Sequence, residues 1–503
     1  MEYEKSDLSR KISRRSAIST VGKIAITAAA AGVVAGVGGY LAGSSIAPAE
    51  RTITETKTIT KVSTVTELAS AGATVTLTKP TTETVTKTVT VGAPPPEPVV
   101  IKTISQVGGY GDPAIPLMNA FNMRYGKYLK VEYETAPYAT KVEKIMASLI
   151  AKTDAYHMVP IITYYVAGAA PHVEDMKEYV EKFKDDPYWS VDLSVFPEGL
   201  LKLATWQGKF LGLPFRTLSH QVLFYRKDLY EQYGLSPPKT IEDYVENAKA
   251  LNNPPEIYGA SIKGRAGVDL FEEFMAWMFA HGADILNKEQ NGTTPYPSDH
   301  SDVAERIIET WIEMDRKGLL PPGWVNFSAL DELANYQAGR VAQYVELSVK
   351  APLVEDPAKS KAAGKTGYIL FLKDNPKKIA PQKALGIVWS LCINKYCKTQ
   401  AQKDAAYKLA VHMTLYESQL LGATLWANGP TRSDVIVSEE YKRFNKGAEA
   451  HLDALKILYN YVVPQVVEMQ TIISEEIHAA LTKAKSVKEA VRDMWSRVGA
   501  LFR

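Results

Sequence analysis

Residues 206 to 251 read WQGKFLGLPFRTLSHQVLFYRKDLYEQYGLSPPKTIEDYVENAKAL, and the rest of the chain is organised around them. Phe210-Leu211-Gly212-Leu213-Pro214 is a short apolar run behind a Gly-Lys turn, and its proline is expected to end a strand that leaves a sheet. Val222-Leu223-Phe224-Tyr225 reads as a second, buried strand, and Lys227 to Tyr233 as a short helix stopped at Gly234. Pro237-Pro238 is a stiff connection. Thr240 then opens an amphipathic helix, capped with Asp243, that places Ile241, Tyr244, Val245, Ala248 and Leu251 on one face.

The chain has 503 residues, more than one hydrophobic core usually supports, so two or three structural units are expected. Hydrophobic content of 46% and charge of 23% are ordinary for a globular protein. A net charge of +2 gives no reason to propose nucleic acid or an acidic substrate as partner. Two cysteines are too few for a disulfide framework or a thiolate metal site. Cys392 and Cys397 lie close in sequence, and two unpaired structural thiols are favoured over a disulfide across that loop.

Residues 1–49 carry Arg14-Arg15 ahead of an uncharged stretch from Ile24 to Ala49. The twin arginines look like an export signal of the twin-arginine type, and the apolar run is long enough for a membrane-spanning anchor. Either reading puts the remainder outside the cytoplasm, with an uncleaved anchor slightly favoured. Residues 50–98 are almost all Thr, Val, Lys, Glu and Ala, with repeats such as Thr82-Glu83-Thr84-Val85-Thr86, and close on Ala93-Pro94-Pro95-Pro96-Glu97-Pro98. Few large side chains are available to bury surface, so a disordered stalk, reaching about 150 Å if fully extended, is favoured over β-structure. Thr-Val alternation is also strand composition.

Beyond the stalk, Ile101 to Val107 and Lys130 to Thr135 read as strands, each followed by a helix, which implies a parallel sheet with ligand loops at the carboxyl ends of strands. The glycine-rich turn at Gly108 to Asp112 is then a candidate binding loop rather than a nucleotide fingerprint. Ala384 to Ile393 is continuously apolar, as a strand buried on both faces would be. The tail reads as two helices, Pro464 to Leu481 and one capped by Ser486 with Glu489. Trp277 and Trp311 are expected in the core.

The order of turn, strand to proline, crossing segment, Tyr-Arg-Lys-Asp-Leu, short helix, Pro-Pro-Lys-Thr and capped helix resembles the extracellular solute-binding proteins of ABC importers, the sugar-binding group that includes maltose-binding protein. Ala338-Gly339-Arg340-Val341-Ala342, the apolar run Ala384 to Ile393 and Asn428-Gly429-Pro430-Thr431-Arg432 are similar to further segments of that family, so the resemblance extends from about Ile101 to the end. It implies a two-lobed α/β fold of the periplasmic-binding-protein type, with hinge crossings. The lobes are then expected from 99–215 plus 385–435 and from 216–384 plus 436–503. It also implies an extracytoplasmic, monomeric protein that captures a small solute, a sugar or oligosaccharide, and hands it to the membrane permease of an ABC transporter.

No enzyme chemistry competes strongly with this reading. The eight histidines lack metal-ligand spacing, no Gly-x-Ser-x-Gly elbow is present, and no cofactor is implied. The carboxylate pairs Glu272-Glu273 and Glu475-Glu476 sit in amphipathic helices and read as solvated faces. Polyols are held by aromatic faces and by charged or amide side chains. Candidates are Tyr110, Asp112, Tyr164, Arg216, Arg265, Tyr344, Glu346, Trp389 and Arg432. An exported enzyme acting on carbohydrate and a structural surface protein remain as alternatives. Asn291-Gly292-Thr293 and Asn326-Phe327-Ser328 are compatible with surface glycosylation.

Overall fold

The computed structural model describes residues 97–107, 114–286, 300–426 and 428–503, together with the backbone of 51–68 and 74–91. The twin arginines and the apolar run after them therefore lie outside the described residues, as do Tyr110, Asp112 and Asn291. Among the described residues no helix is long and apolar enough to cross a membrane.

The chain separates into two units, Met1–Pro94 and Pro95–Arg503. The first contains strands β1 (Arg51–Leu68) and β2 (Thr74–Val91), paired antiparallel from Arg51 opposite Val91 to Leu68 opposite Thr74. Where the sequence favours a disordered stalk, the chain forms a ribbon. Its β-branched Thr and Val side chains are stiff and suit a pleated surface, and that preference prevails over the scarcity of buriable groups.

In the second unit, β3 (Val99–Gln106) and β4 (Leu129–Ala136) pair in parallel, joined through the helix Ala114–Tyr125. The helix Tyr138–Ile150 leads to β5 (Met158–Ile162), and β6 (Gly212–Ser219) is the crossing segment. The second lobe begins with β7 (Val222–Arg226), flanked by the antiparallel strands β8 (Gln343–Glu346) and β9 (Thr366–Leu370). The chain returns in β10 (Ala384–Ile393), which is buried along its whole length and pairs antiparallel with both β5 and β6.

β6 does not stop at Pro214. The register of β6 against β10 shifts between Trp389 and Ser390, so that Arg216 faces Trp389, Pro214 faces Ser390, and Phe215 is the extra residue of a bulge. A proline has no N–H to give to the ladder, and a bulge is where a sheet tolerates that loss.

Side chains alternate along β10 between two cores. Leu391 and Ile393 join Ile101, Phe121 and Leu409, whereas Val388 and Cys392 join Ile145, Val159 and Leu211. The second lobe centres on Trp277 and Trp311, fully buried and edge-on at 5.6 Å. Ile436, Tyr441, Leu455 and Val462 pack in the cluster of Val159, whereas Ala450 packs with Phe224, Ala454 with Leu370 and Tyr461 with Trp277. The stretch 436–462 thus packs against both sides of the crossing. The capping boxes Thr240–Asp243 and Ser486–Glu489 are both formed. Cys392 and Cys397 are buried free thiols, and burial holds both well above the ordinary thiol range.

Gly429 lies directly on β6: its carbonyl accepts from Thr217 N–H at 3.1 Å, and a Cβ there would stand 2.1 Å from Thr217 O. Gly429→Ala is expected to cost about 1–3 kcal/mol by overpacking. The measurement is a urea titration, with a lower midpoint at unchanged slope.

Candidate functional site

β3, β5, β6 and β10 converge on a cavity whose polar lining is Thr103, Ser105, Lys141 and Arg216 and whose floor is apolar, with Met118, Met158, Phe215, Trp389 and Met413. Thr103 and Ser105 lie on one side of the strand by alternation, and Ile104 between them is buried as well. Thr103 is 3% exposed, and its Oγ1 has no hydrogen-bond partner, an arrangement that costs free energy unless something fills the space beside it. Lys141 stands on the first turn of the helix Tyr138–Ile150, and its Nζ donates to Gln106 Oε1 at 3.4 Å.

Arg216 and Trp389 are direct cross-strand partners, and the guanidinium carbon lies 4.7 Å from the indole centroid. This cation–π contact covers a face of Trp389 and holds the charge of Arg216 at the cavity.

A second group of residues joins the lobes. Tyr164 lies in the turn Thr163–Tyr165 at the end of β5, anchored where Thr163 Oγ1 accepts from Val388 N–H at 2.9 Å. The Tyr164 hydroxyl donates to Glu272 Oε1 at 3.4 Å, and burial together with Glu272 pushes its pKa well above the ordinary phenol value. Glu272 Oε2 is 3.0 Å from Nδ1 of His220, the residue just after β6. One carboxylate of the second lobe thus touches both a first-lobe turn and the crossing.

The other residues expected at the site are placed elsewhere. Arg265 pairs with Asp269 at 2.5 Å on the surface. Arg432 is held by Asp434 at 2.7 Å and by Thr414 O at 3.3 Å. Tyr344 is fully buried, its ring 4.8 Å from that of Tyr336, and Glu346 is fully buried and 2.5 Å from Lys350. Tyr110 and Asp112 lie outside the described residues. The structure thus brings Arg216 and Trp389 to the cavity and sets Tyr164 beside the crossing.

Glu272 and Glu273 are not on a solvated face. Eleven of the thirteen residues of the helix Val268–Ala280 are buried, and Glu273 pairs with Lys263 at 2.8 Å. Of the second carboxylate pair, Glu475 is half exposed, whereas Glu476 is buried and pairs with Lys485 at 2.5 Å and Arg497 at 2.7 Å. Sequence reasoning also passed over Thr103, Lys141 and His220 as site residues. The signal for Thr103 and Ser105 was available: small polar residues that continue the face begun by Val99 and Ile101.

Among the described residues, no group of three or more His, Cys, Asp or Glu side chains could hold a metal ion. A family profile described as "Bacterial extracellular solute-binding protein" matches residues 117–449. The chain is similar to the mannitol-binding protein of Pseudomonas aeruginosa, 28% identical over 262 residues, which is 50% of this chain and 56% of that one. It spans only about half the length of the first curated relatives it matches. Its fold is similar to that of an ABC transporter solute-binding protein from Agrobacterium radiobacter K84 in complex with ribitol, with TM-score 0.67 and 21% identity over 81% of this chain and 100% of the other. Maltose-bound MalE3 of T. maritima gives TM-score 0.67 and 23% identity, covering 80% and 99%.

The burial of Glu346 belongs to a network with measurable consequences. Lys263, Glu273, Glu332, Glu346 and Lys350 are all 1% exposed or less. Burial pushes Glu346 upward, but Lys350 and Lys263 outweigh it and hold it below the usual range. Glu346→Ala leaves Lys350 without that partner and is expected to cost about 3–5 kcal/mol, read in a denaturant melt. Burial drives Glu332 well above its ordinary value of 4.5, against the pull of Lys263. The fold therefore binds this proton more tightly than the unfolded chain does. The resulting stability is complete below pH 4.5 and is lost as pH rises towards the raised pKa. Glu332→Gln, neutral throughout, should remove that part of the slope from a series of melts across pH.

Proposed function

The chain belongs to the bacterial extracellular solute-binding protein family, and from that premise we propose that it is the solute-capturing component of an ABC importer, taking a small sugar or polyol. The lobes are assigned as 99–215 with 385–435 and 216–384 with 436–503, the stretch 436–462 packing against both. The observation that carries the reading is the geometry of the crossing. A buried cavity sits beside two antiparallel strands that pass between lobes, and a single carboxylate, Glu272, bridges the first-lobe turn and the crossing. The mannitol-binding relative and the ribitol-bound structural neighbour support a polyol as the kind of solute.

In this reading capture is hinge closure. A solute that touches both lobes stabilises the closed arrangement by contacts the open one lacks, and the equilibrium shifts by that difference and no more. The amino-terminal segment tethers the body outside the membrane, and the permease receives the solute from the cleft. The body works as a monomer, since each chain supplies both walls of its own cleft.

The test is a thermal screen of the full-length chain with mannitol, ribitol, maltose and longer oligosaccharides, followed by small-angle scattering on the best responder. Saturation at a hundredfold excess over Kd should raise stability by about 2.7 kcal/mol, and the radius of gyration should shrink. An unchanged scattering profile at saturation would rule out the hinge mechanism.

A further inference from the structure

Glu272 is a point at which the two lobes meet through side chains largely withdrawn from water. It stands on the helix Val268–Ala280 of the second lobe, its side chain 12% exposed. Oε2 lies 3.0 Å from Nδ1 of His220, and the backbone N–H of His220 donates to Leu385 O of β10 at 2.8 Å. This partner therefore comes from the start of the second lobe and is tied to the return strand. Oε1 accepts from the Tyr164 hydroxyl at 3.4 Å, and that partner belongs to the first lobe. Asn460, whose Nδ2 donates to Gly386 O at 2.8 Å, reaches the same hydroxyl.

Neither end of the contact between Tyr164 and Glu272 is free to follow the other. Tyr164 is fixed to the first lobe at Thr163, whose Oγ1 accepts from Val388 N–H, and at Ile162, which stands opposite Trp389 in the ladder of β5 and β10. Glu272 is fixed by its helix, which packs in the core of Trp277. His220 sits on the same lobe as the carboxylate and stays with it when the lobes turn, so an opening rotation separates the tyrosine alone. The phenol is 8% exposed, and burial beside the carboxylate keeps its proton in place, so it serves as a donor. A hydrogen bond to an ionised acceptor is about twice as strong as one between neutral groups. The Tyr164 ring itself packs in the cluster of Trp277, so the hydroxyl can be removed with that packing kept.

Resting on the solute-binding reading above for its purpose, we propose that Tyr164, Glu272 and His220 form a lock that draws the lobes together before solute arrives. His220 positions the carboxylate, and the Tyr164 hydroxyl makes the contact that forms on closure and breaks on opening. The lock sets the share of unliganded chains that are already closed. A solute that binds only the closed arrangement loses apparent affinity in proportion as that share falls, so the lock raises affinity without touching the solute. All three are positioning residues.

The test reads the separation of the lobes in the unliganded full-length chain. Met123→Cys on the first lobe and Leu330→Cys on the second, at positions 90% and 64% exposed, carry spin labels, while Cys392 and Cys397 are buried. Pulsed electron paramagnetic resonance then gives the distribution of distances between the labels. Tyr164→Phe keeps the ring and should lower the ratio of closed to open chains about tenfold. Glu272→Gln should shift the distribution in the same direction, and the double variant should add little to either, as members of one contact do. Should one variant not fold, the other decides. Saturation with the solute that best raises the melting temperature should return each variant to the closed distribution, with weaker apparent affinity in Tyr164→Phe. An unchanged unliganded distribution in the folded variants, even with a lower melting temperature, would overturn the lock and leave a purely structural contact. Were mannitol, ribitol and maltose all without effect on any of these chains, the solute-binding reading would fall, while a shift in unliganded Tyr164→Phe would still uphold the lock.

Discussion

The antiparallel ladder between β6 and β10 is the constraint on which the rest of the second unit depends. These strands are far apart in sequence, yet the Thr217 hydroxyl donates to Ile387 O at 2.9 Å across 170 positions. The ladder is flanked by two tight approaches, Gly212 against Leu391 O and Gly429 against Thr217 O, where no larger residue fits. At its far end Gln221 takes over from the backbone. Its side chain donates to Lys383 O at 2.8 Å and accepts from Leu385 N–H at 3.1 Å. Backbone groups at a buried crossing have no water to turn to, so a fully buried amide side chain completes the pairing where the strands part. The two crossings consequently behave as one mechanical piece.

Much of this was legible in the residues, and the reasons differ from element to element. The helices opened by Thr240 and Ser486 announce themselves because a capping box is local chemistry, decided within four residues. β10 was readable because a strand covered on both faces needs no polar alternation. The continuation of β6 through Pro214 was not readable, since the bulge that tolerates the proline is a property of the partner strand. The same holds for residues 436–462, whose apolar side chains are divided between clusters of both lobes. At the site, Arg216 and Trp389 could be found because both lie on the crossings. Thr103, Lys141 and Glu272 meet only through packing between elements that no local pattern connects.

The second lobe shows what buried charge requires when it is structural. Lys263 meets Glu273 at 2.8 Å and donates to Val345 O at 3.1 Å, while Lys350 meets Glu346 and donates to Ala329 O at 2.9 Å. Each ammonium has a carboxylate and a carbonyl, and the fifth member, Glu332, is driven towards its neutral form by burial. With two ammoniums against three carboxyls, neutrality of one carboxyl balances the set. Tyr344 and Glu346 lie on one face of their strand inside the lobe core: Glu346 joins this network, and Tyr344 packs on Phe224 and Tyr336.

The aromatic side of recognition must then be reconsidered. A ring holds a sugar by offering an open face to its C–H surface. Trp389 has Arg216 on one face, and Tyr344 is enclosed between Phe224 and Tyr336 and offers no open ring. Tyr164 is turned to Glu272 by its hydroxyl. What the first lobe presents instead is a guanidinium, an ammonium and a hydroxyl above an apolar floor rich in methionine. Methionine conforms to irregular shapes and adds no polarity of its own. Under the proposed solute-binding role, discrimination between solutes at this cavity would rest on its charge and hydrogen-bonding groups rather than on stacking.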